Sequence, residues 1–435
     1  MIDPGGDTGE GRDVGVSESR SAPNLARSPR SEPVKKTAVS ALVAAETISV
    51  LGTRMTYLAL PRFVLVTTGS PSKMSLVLAA EILPMAILGV PSGALVQRLG
   101  SRTTMLVADF ARAPILASIP LLYAAGLLDF WLLLAIVALL GAFAPPYFAA
   151  QRVILPELVG EDETRTSQAN SSIEGGNAFA AMIGPVLAGV LIPFLGAANV
   201  LYVDAATYLV AFLLVLVFVP ALKAVAGAAE HGVLAGLRFL ASDRLLGPLA
   251  LTVTAFGFLA AGMSAGLPVY AYDEFDGRSW VAGLFYAAIG AGAVVGSVLA
   301  IFVVKRVAPL KLAAFGILAF AIPLWFLPFL PPWPIVFAAL FLSTMFAPFV
   351  NGPTLGVLTS RTPVAIRAKV MAAAISASSL AAPLGFLVAG QVLERWGIVP
   401  LFAGVVLGIT WMAIVFAAIA WRHSDGEALP ELAAT

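Results

Sequence analysis

Twelve runs of about twenty apolar residues leave this chain little choice of surroundings. They fall at about 38–66, 74–96, 103–125, 130–150, 169–193, 199–220, 246–271, 281–303, 308–330, 334–357, 368–392 and 398–421. Each is long enough to carry an α-helix across the hydrocarbon core of a bilayer. Lipid offers backbone groups no hydrogen-bond partner, so such segments fold as helices, and proline or glycine inside them is tolerated where neighbouring helices satisfy the freed groups. Composition agrees: 59% of the 435 residues are hydrophobic and 12% are charged, about half the charged share of a soluble protein. Mean hydropathy is +0.93. The expected fold class is an all-α membrane protein with twelve transmembrane helices.

The same counts exclude several kinds of chemistry. A net charge of +1 gives no reason to expect a nucleic-acid partner. There is no cysteine, hence no disulfide or thiolate metal site. The two histidines, His231 and His423, fall in predicted loops, so no metal centre is expected. No cluster of nucleophile, base and metal ligands shares one depth, so neither an enzyme nor a cofactor is predicted. No Gly-x-x-x-x-Gly-Lys-Ser/Thr loop is present, so ATP does not drive the protein directly.

Lysine and arginine set the orientation. One set of loops carries Arg98, Arg102, Arg152, Arg165, Lys223, Arg238, Arg244, Lys305, Arg306, Lys311, Arg361, Arg367 and Lys369, whereas the alternate loops carry only Arg62, Lys73, Arg278 and Arg395. The positive-inside rule then puts both termini in the cytoplasm of a bacterial plasma membrane. Residues 1–36 are rich in Gly, Ser, Pro, Arg and Glu and read as a disordered cytoplasmic tail, without the short apolar region of a signal peptide. A linker over 221–245, with an amphipathic pattern from Val233 to Leu240, separates a six-helix bundle at 37–220 from another at 246–421, and 422–435 form a second tail. The halves echo each other. Phe143-Ala144-Pro145 returns as Phe346-Ala347-Pro348, 346 − 143 = 203 positions later, and the same offset carries Gly89 onto Gly292 and Gly93 onto Gly296.

The turn between the second and third spans reads Gly93-Ala94-Leu95-Val96-Gln97-Arg98-Leu99-Gly100-Ser101-Arg102. Gly93 and Gly100 are expected to let the two helices and the turn pack closely. The stretch resembles the signature loop of the major facilitator superfamily, Gly-x-x-x-Asp-Arg-x-Gly-Arg-Arg, with Gln97 at the acidic position and Ser101 where an arginine is usual. An ordered set of further stretches resembles the macrolide-efflux and siderophore-exporter branch: Leu51-Gly52-Thr53-Arg54-Met55-Thr56, Asp109-Phe110-Ala111-Arg112-Ala113, Leu155-Pro156-Glu157-Leu158-Val159, Gly184-Pro185-Val186-Leu187-Ala188-Gly189, Gly236-Leu237-Arg238-Phe239-Leu240 and Leu267-Pro268-Val269-Tyr270. Gly184, Pro185 and Gly189 are similar to the helix-5 antiporter motif. The resemblance covers about 38–420. It implies two parallel six-helix bundles with a midplane site, and a gate network of Gly93, Gln97, Arg98, Gly100, Arg102, Asp109 and Arg112.

Charge inside a bilayer is costly and marks candidate sites. Seven such residues occur, all in the first half: Glu46, Arg54, Glu81, Asp109, Arg112, Glu174 and Asp204. Asp109 and Arg112, three apart, share a helix face and can pair. Arg54 can meet Glu81 by depth, Glu46 and Glu174 lie where hydration suffices, and Asp204 reads as a cap near the outer end. Glu46, Arg54, Glu81 and Glu174 are the candidates for proton coupling or substrate binding. In the second half, Phe256, Tyr286, Trp325, Phe346 and Asn351 are candidates to line a cavity that holds a bulky apolar or cationic compound. The expected protein is a monomeric secondary transporter that exports a small amphipathic or hydrophobic compound, such as a drug, antibiotic or siderophore, against protons by alternating access. The alternatives are a lysolipid flippase or an uptake transporter of the same fold, and, from another class, a non-transporting membrane sensor.

Overall fold

The computed structural model describes residues 34–159, 163–221, 233–304, 306–363 and 366–424. Among these residues the chain is helical throughout, with α1 (Val34–Thr68), α2 (Pro71–Leu99), α3 (Ser101–Ala124), α4 (Phe130–Ala142), α5 (Ala144–Val159), α6 (Glu163–Leu195), α7 (Ala197–Phe218), α8 (Val233–Ser242), α9 (Leu246–Glu274), α10 (Ser279–Val303), α11 (Pro309–Ala321), a 3-10 segment (Ile322–Phe329), α12 (Trp333–Met345), α13 (Ala347–Arg361), α14 (Arg367–Trp396) and α15 (Ile398–Ser424). Eleven spans, counting α4–α5, α11 with its 3-10 extension, and α12–α13 as one each, are long and apolar enough to cross a membrane. α14, 30 residues long, completes the twelve.

The spans pair into two bundles. α1 packs against α6 and α7, α2 against α4 and α5, and α3 against α5 and α7; in the second half α9 packs against α14 and α15, α10 against α12, and α11 against α13 and α15. The bundles meet through two helix pairs, α6 with α10 and α2 with α14. Helix ends follow local chemistry. Ser70 caps α2 by accepting from the Lys73 N–H at 3.2 Å, with Pro71 as the first helical residue, and Asp129 caps α4 by accepting from the Leu132 N–H at 2.8 Å. Gly100 alone joins α2 to α3: its φ of 82° is a left-handed value that a side chain disfavours, and its N–H closes the last turn onto Val96 O at 2.8 Å.

Several expected boundaries move. The fourth and tenth spans are each broken in two, and both breaks fall on the Phe-Ala-Pro repeat: α4 ends at Ala142 and α5 begins at Ala144, while α12 ends at Met345 and α13 begins at Ala347. Pro145, Pro146 and Pro348 have no N–H to continue the helical ladder, so it tightens to three-residue bonds from Phe143 N to Leu140 O and from Phe346 N to Ser343 O. The repeat therefore marks equivalent breaks in the two halves. Residues 34–36, expected in the tail, already belong to α1, and His423, expected in a loop, lies in α15 and contacts Ile419 O at 2.9 Å. The tail over 1–33, the linker at 222–232 with His231, and 425–435 lie outside the described residues. The amphipathic helix is present as α8, which packs on α14 and α9 with Leu240 buried.

The two ends of the molecule differ in packing. At the end away from the Gly100 turn, one continuous buried cluster joins Leu58, Phe63 and Leu78 of the first bundle to Leu267, Tyr270 and Phe285 of the second. At the end that carries Arg98 and Arg102, here called the basic end, Leu42, Met105, Tyr147, Ile154 and Val215 form a separate cluster within the first bundle. Trp131, Phe194, Phe329 and Trp396 stand exposed at the opposite end, as expected of an aromatic belt at a bilayer interface.

Candidate transport site

Inside the first bundle, α1, α2, α3, α5 and α7 bring polar side chains together. Glu46 of α1 is buried, accepting from Tyr147 Oη at 2.9 Å and from Gln151 Nε2 at 2.9 Å, both on α5. Asp204 of α7 is also buried; it accepts from Thr56 Oγ1 at 2.5 Å and from Thr207 Oγ1 at 3.1 Å. Thr53 and Tyr208 share a 2.9 Å hydroxyl contact beside them. Arg112 lies between these groups, its guanidinium 4.3 Å from the Tyr208 ring centroid and 5.7 Å from that of Tyr147, a placement that an aromatic face favours. Its charge acts on Glu46, Glu81, Asp109 and Asp204 together. Among the described residues, neither carboxylate oxygen of Asp109 has a hydrogen-bond partner, nor has Oε2 of Glu81, nor Nε of Arg112.

This geometry corrects several expectations. Asp109 and Arg112 do not form an ion pair, because the guanidinium turns onto the two tyrosine rings instead. Arg54 does not pair with Glu81; it is exposed on α1, and both act on Tyr57. Glu46 is fully partnered rather than hydrated, and Asp204 is a buried tie between α7 and α1 rather than a cap. Glu174 is exposed, as hydration would require.

The opposite end is closed by contacts between bundles. Glu394 of α14 accepts from Ser70 Oγ at 2.9 Å and from the Ser72 N–H at 3.1 Å, so a carboxylate of one bundle caps a helix of the other. Ser72 Oγ donates to Gly390 O at 2.9 Å and accepts from Gln391 Nε2 at 3.3 Å. Along α6 and α10 the backbones nearly touch: a Cβ on Gly189 would lie 2.9 Å from Ser279 O, one on Gly283 2.6 Å from Pro185 O, and one on Gly290 3.1 Å from the Met182 Cα. Gly184 packs α6 equally closely on α1, 2.9 Å from Leu51 O by the same measure. The helix-5 motif is thus wedged between α1 and α10.

Toward the basic end the bundles stand apart. A Cβ added at Gly89, Gly93, Gly175, Gly352 or Gly356 would meet nothing within 4 Å. Gly93 therefore does not provide the close packing predicted for it. A crevice of about 1180 Å³ opens between α6 and α10, lined by Thr166, Ser167, Asn170, Ser171, Glu174 and Ser297. A second cavity, about 470 Å³, lies among α9, α13 and α14, with Leu249, Val253, Asn351, Thr354, Met371 and Ser378 on its walls. The signature turn is tied within its own bundle: Arg102 donates to Val219 O at 2.7 Å and Leu216 O at 2.8 Å, capping α7, and Ser101 Oγ bonds the Glu157 carboxylate. Arg98 is exposed and Gln97 half-buried.

The predicted cavity residues of the second half divide. Asn351 lines the α9–α13–α14 cavity and, with Phe256, a smaller neighbouring one. Tyr286 meets Tyr57 edge-on at 6.1 Å across the bundles. Trp325 instead lies exposed on the 3-10 segment, bonding Thr410 Oγ1 of α15 at 3.1 Å, and Phe346 packs between Phe315 and Phe349; neither lines these cavities. Sequence reasoning missed Tyr147, Gln151, Thr56, Tyr208 and the Glu394 contact. The one available signal was Ser70-Pro71, a helix start.

Twelve membrane helices in two bundles, packed together at one end and parted at the other, define a polytopic transporter fold. Residues 42–386 match the Major Facilitator Superfamily, to which the chain belongs; it is a transporter and not an enzyme. It is 28% identical over 382 residues to "Multidrug efflux pump Tap" of Mycolicibacterium fortuitum, spanning 84% of this chain and 91% of that protein. The protein of the same description from Mycobacterium tuberculosis (strain ATCC 25618 / H37Rv) is 27% identical over 389 residues, spanning 84% and 89%. Among solved structures, a bacterial homolog of the human lysosomal transporter Spinster, inward-facing and unoccupied, superposes with a TM-score of 0.72 at 14% identity, covering 92% of this chain and 100% of that one. The nucleoside transporter NupG gives 0.70 at 14% identity, covering 90% and 100%. At such identity these two show the fold alone.

Proposed function

We propose that this protein exports a small amphipathic or hydrophobic compound from the bacterial cytoplasm in exchange for protons. The basic end faces the cytoplasm, and the bundles at 37–220 and 246–421, joined by 221–245, rock about the midplane as rigid units. The observation that carries the reading is the buried polar cluster of the first bundle, in which neither carboxylate oxygen of Asp109 nor Oε2 of Glu81 has a hydrogen-bond partner among the described residues. A carboxylate buried without a partner is costly while charged, and a proton from outside removes that cost. Neutralisation favours return to the inward-open arrangement; substrate binding and proton release reset the cycle. Two relatives described as multidrug efflux pumps support export of drug-like compounds.

The test is accumulation of a panel of dyes, antibiotics and siderophores in an exporter-deficient bacterial host. The protein is expected to lower accumulation, and a protonophore to restore it. Glu81→Gln and Asp109→Asn should each reduce export by roughly tenfold or more at unchanged protein level, whereas exposed Glu174→Gln should change it less than about twofold. Export that survives both neutralisations and the protonophore would refute proton coupling at these acids.

The signature turn yields a second expectation. Gln97 lacks the charge that the superfamily's aspartate brings to this turn, so Gln97→Asp should favour the outward-open state. Labelling of Asn170→Cys, in the basic-end crevice, by a membrane-impermeant maleimide should fall; unchanged labelling would count against it.

A further inference from the structure

Two of the charged residues inside the spans are arginines, and their surroundings differ. Arg112 is buried against the rings of Tyr208 and Tyr147, and four acids feel its charge. Arg54 is exposed, and among the described residues it makes no hydrogen bond, ion pair or ring contact. The helix itself shows what Arg54 is exposed to. From Thr37 onward the exposed residues of α1 are Thr37, Ser40, Ala44 and Arg54, and none follows until Val66. A face turned to lipid would stay exposed along the whole helix, whereas this one closes just past Arg54. One turn further on, Tyr57 meets Tyr286 of α10 edge-on at 6.1 Å across the bundles, and Tyr286 donates to Ser264 O of α9 at 3.1 Å. To the side, a Cβ on Gly184 of α6 would stand 2.6 Å from the Arg54 Cβ. At that level α6 also meets α10, where a Cβ on Gly290 would stand 3.1 Å from the Met182 Cα. Arg54 therefore stands where α1, α6 and α10 converge, at the inner limit of the space that parts the bundles toward the basic end. No acid answers it there. α10 contains neither acid nor base, and Glu174 of α6 lies ten residues from Gly184, roughly 15 Å nearer the basic end. A guanidinium at this depth is costly unless water or an anion satisfies it.

We propose that Arg54 binds a carboxylate on the transported compound, an organic anion whose flat aromatic body lies against Tyr57 and Tyr286. The planar guanidinium presents paired N–H donors that match the two oxygens of a carboxylate. Both tyrosines are half-buried, so each keeps part of its ring open to a ligand. An anion leaving the cytoplasm also moves with the membrane potential, which is negative inside. The inference rests on the export reading for its physiological role, but binding is measured without flux, so the two fail separately.

The test is saturable binding of 2-naphthoate to the purified full chain in lipid nanodiscs, with empty nanodiscs as background. The comparator is 2-naphthamide, which has the same shape without the charge. Naphthoate should bind about tenfold more tightly than the amide. Arg54→Gln should abolish that difference by weakening naphthoate alone, and Arg54→Lys should keep part of it. Arg395→Gln, which removes an exposed cation at the opposite end, should leave the preference unchanged. Tyr57→Leu should weaken both probes alike, with monodispersity confirming that each variant folds. No saturable binding of naphthoate, equal affinity for the two probes in the unmodified protein, or a preference that survives Arg54→Gln would overturn the assignment. Binding with these sensitivities in a protein that moves no compound would refute export and leave the site standing.

Discussion

Arg112→Met is expected to destabilise this protein more than any other single change in its buried polar cluster, by about 3–5 kcal/mol. Arg112 is the one base among four buried or half-buried acids, Glu46, Glu81, Asp109 and Asp204, all of which feel its charge. Removing it leaves those carboxylates without a cation in a medium that does not solvate them. It also removes the contacts with the rings of Tyr208 and Tyr147, at 4.3 and 5.7 Å, each worth on the order of 1–2 kcal/mol when desolvated. Methionine fills similar space, so lost packing contributes little. Thermal unfolding in detergent is the measurement. Arg112→Lys should lose less, because it keeps the charge but not the planar face that stacks on the rings. Adding Asp109→Asn should recover part of the Arg112→Met loss, since it removes one of the stranded acids. A methionine variant as stable as the parent would show that the cluster is held by its neutral partners alone.

Much of this architecture could be read from the residues, for a physical reason. Hydrocarbon thickness fixes helix length, so twelve apolar runs mean twelve spans, and a proline cannot continue a hydrogen-bond ladder whichever half it occupies. The repeat of Phe143-Ala144-Pro145 at Phe346-Ala347-Pro348 was visible as an echo, yet the breaks it imposes were not, because prolines in membrane helices are commonly absorbed without one. The acids of the cluster were visible because buried charge is expensive. Their partners were not: Tyr147, Gln151 and Thr56 are neutral residues that lie anywhere at little cost, and they reach Glu46 and Asp204 over 101, 105 and 148 positions of sequence. Asp109 and Arg112 illustrate a different limit. A spacing of three brings two Cβ atoms together, but the rings of Tyr208 and Tyr147, from other helices, decide where the guanidinium goes. Trp325 and Phe346 were misplaced because a large apolar side chain suits lipid, packing and cavity alike.

Gly283→Leu is expected to abolish transport while leaving each bundle intact. The glycine is where α10 lies against α6, and an added Cβ would stand 2.6 Å from Pro185 O, well inside the roughly 3.5–4.0 Å at which carbon atoms pack. The neighbours of that clash belong to the other bundle, so the strain falls on closure of the opposite end and not on the packing within α9–α15. Closure there also uses Glu394 on Ser70 and Ser72 and the Gly390 contact with Ser72; a wedge at Gly283 pulls against all of them. A penalty of about 5.5 kcal/mol suffices to turn a 99:1 preference into 1:99, and a leucine forced into a backbone contact has few ways to cost less than several kcal/mol. The chain has no cysteine of its own, which makes the readout clean. A Ser72→Cys, Gln391→Cys pair, whose parent side chains touch at 3.3 Å, should cross-link readily in the parent and lose most of that yield with Gly283→Leu. Maleimide labelling of Asn170→Cys at the basic end should fall in step, and Gly283→Ala should lie between. Retained cross-linking together with full transport would mean that α6 and α10 yield locally and that their contact does not set the closed state.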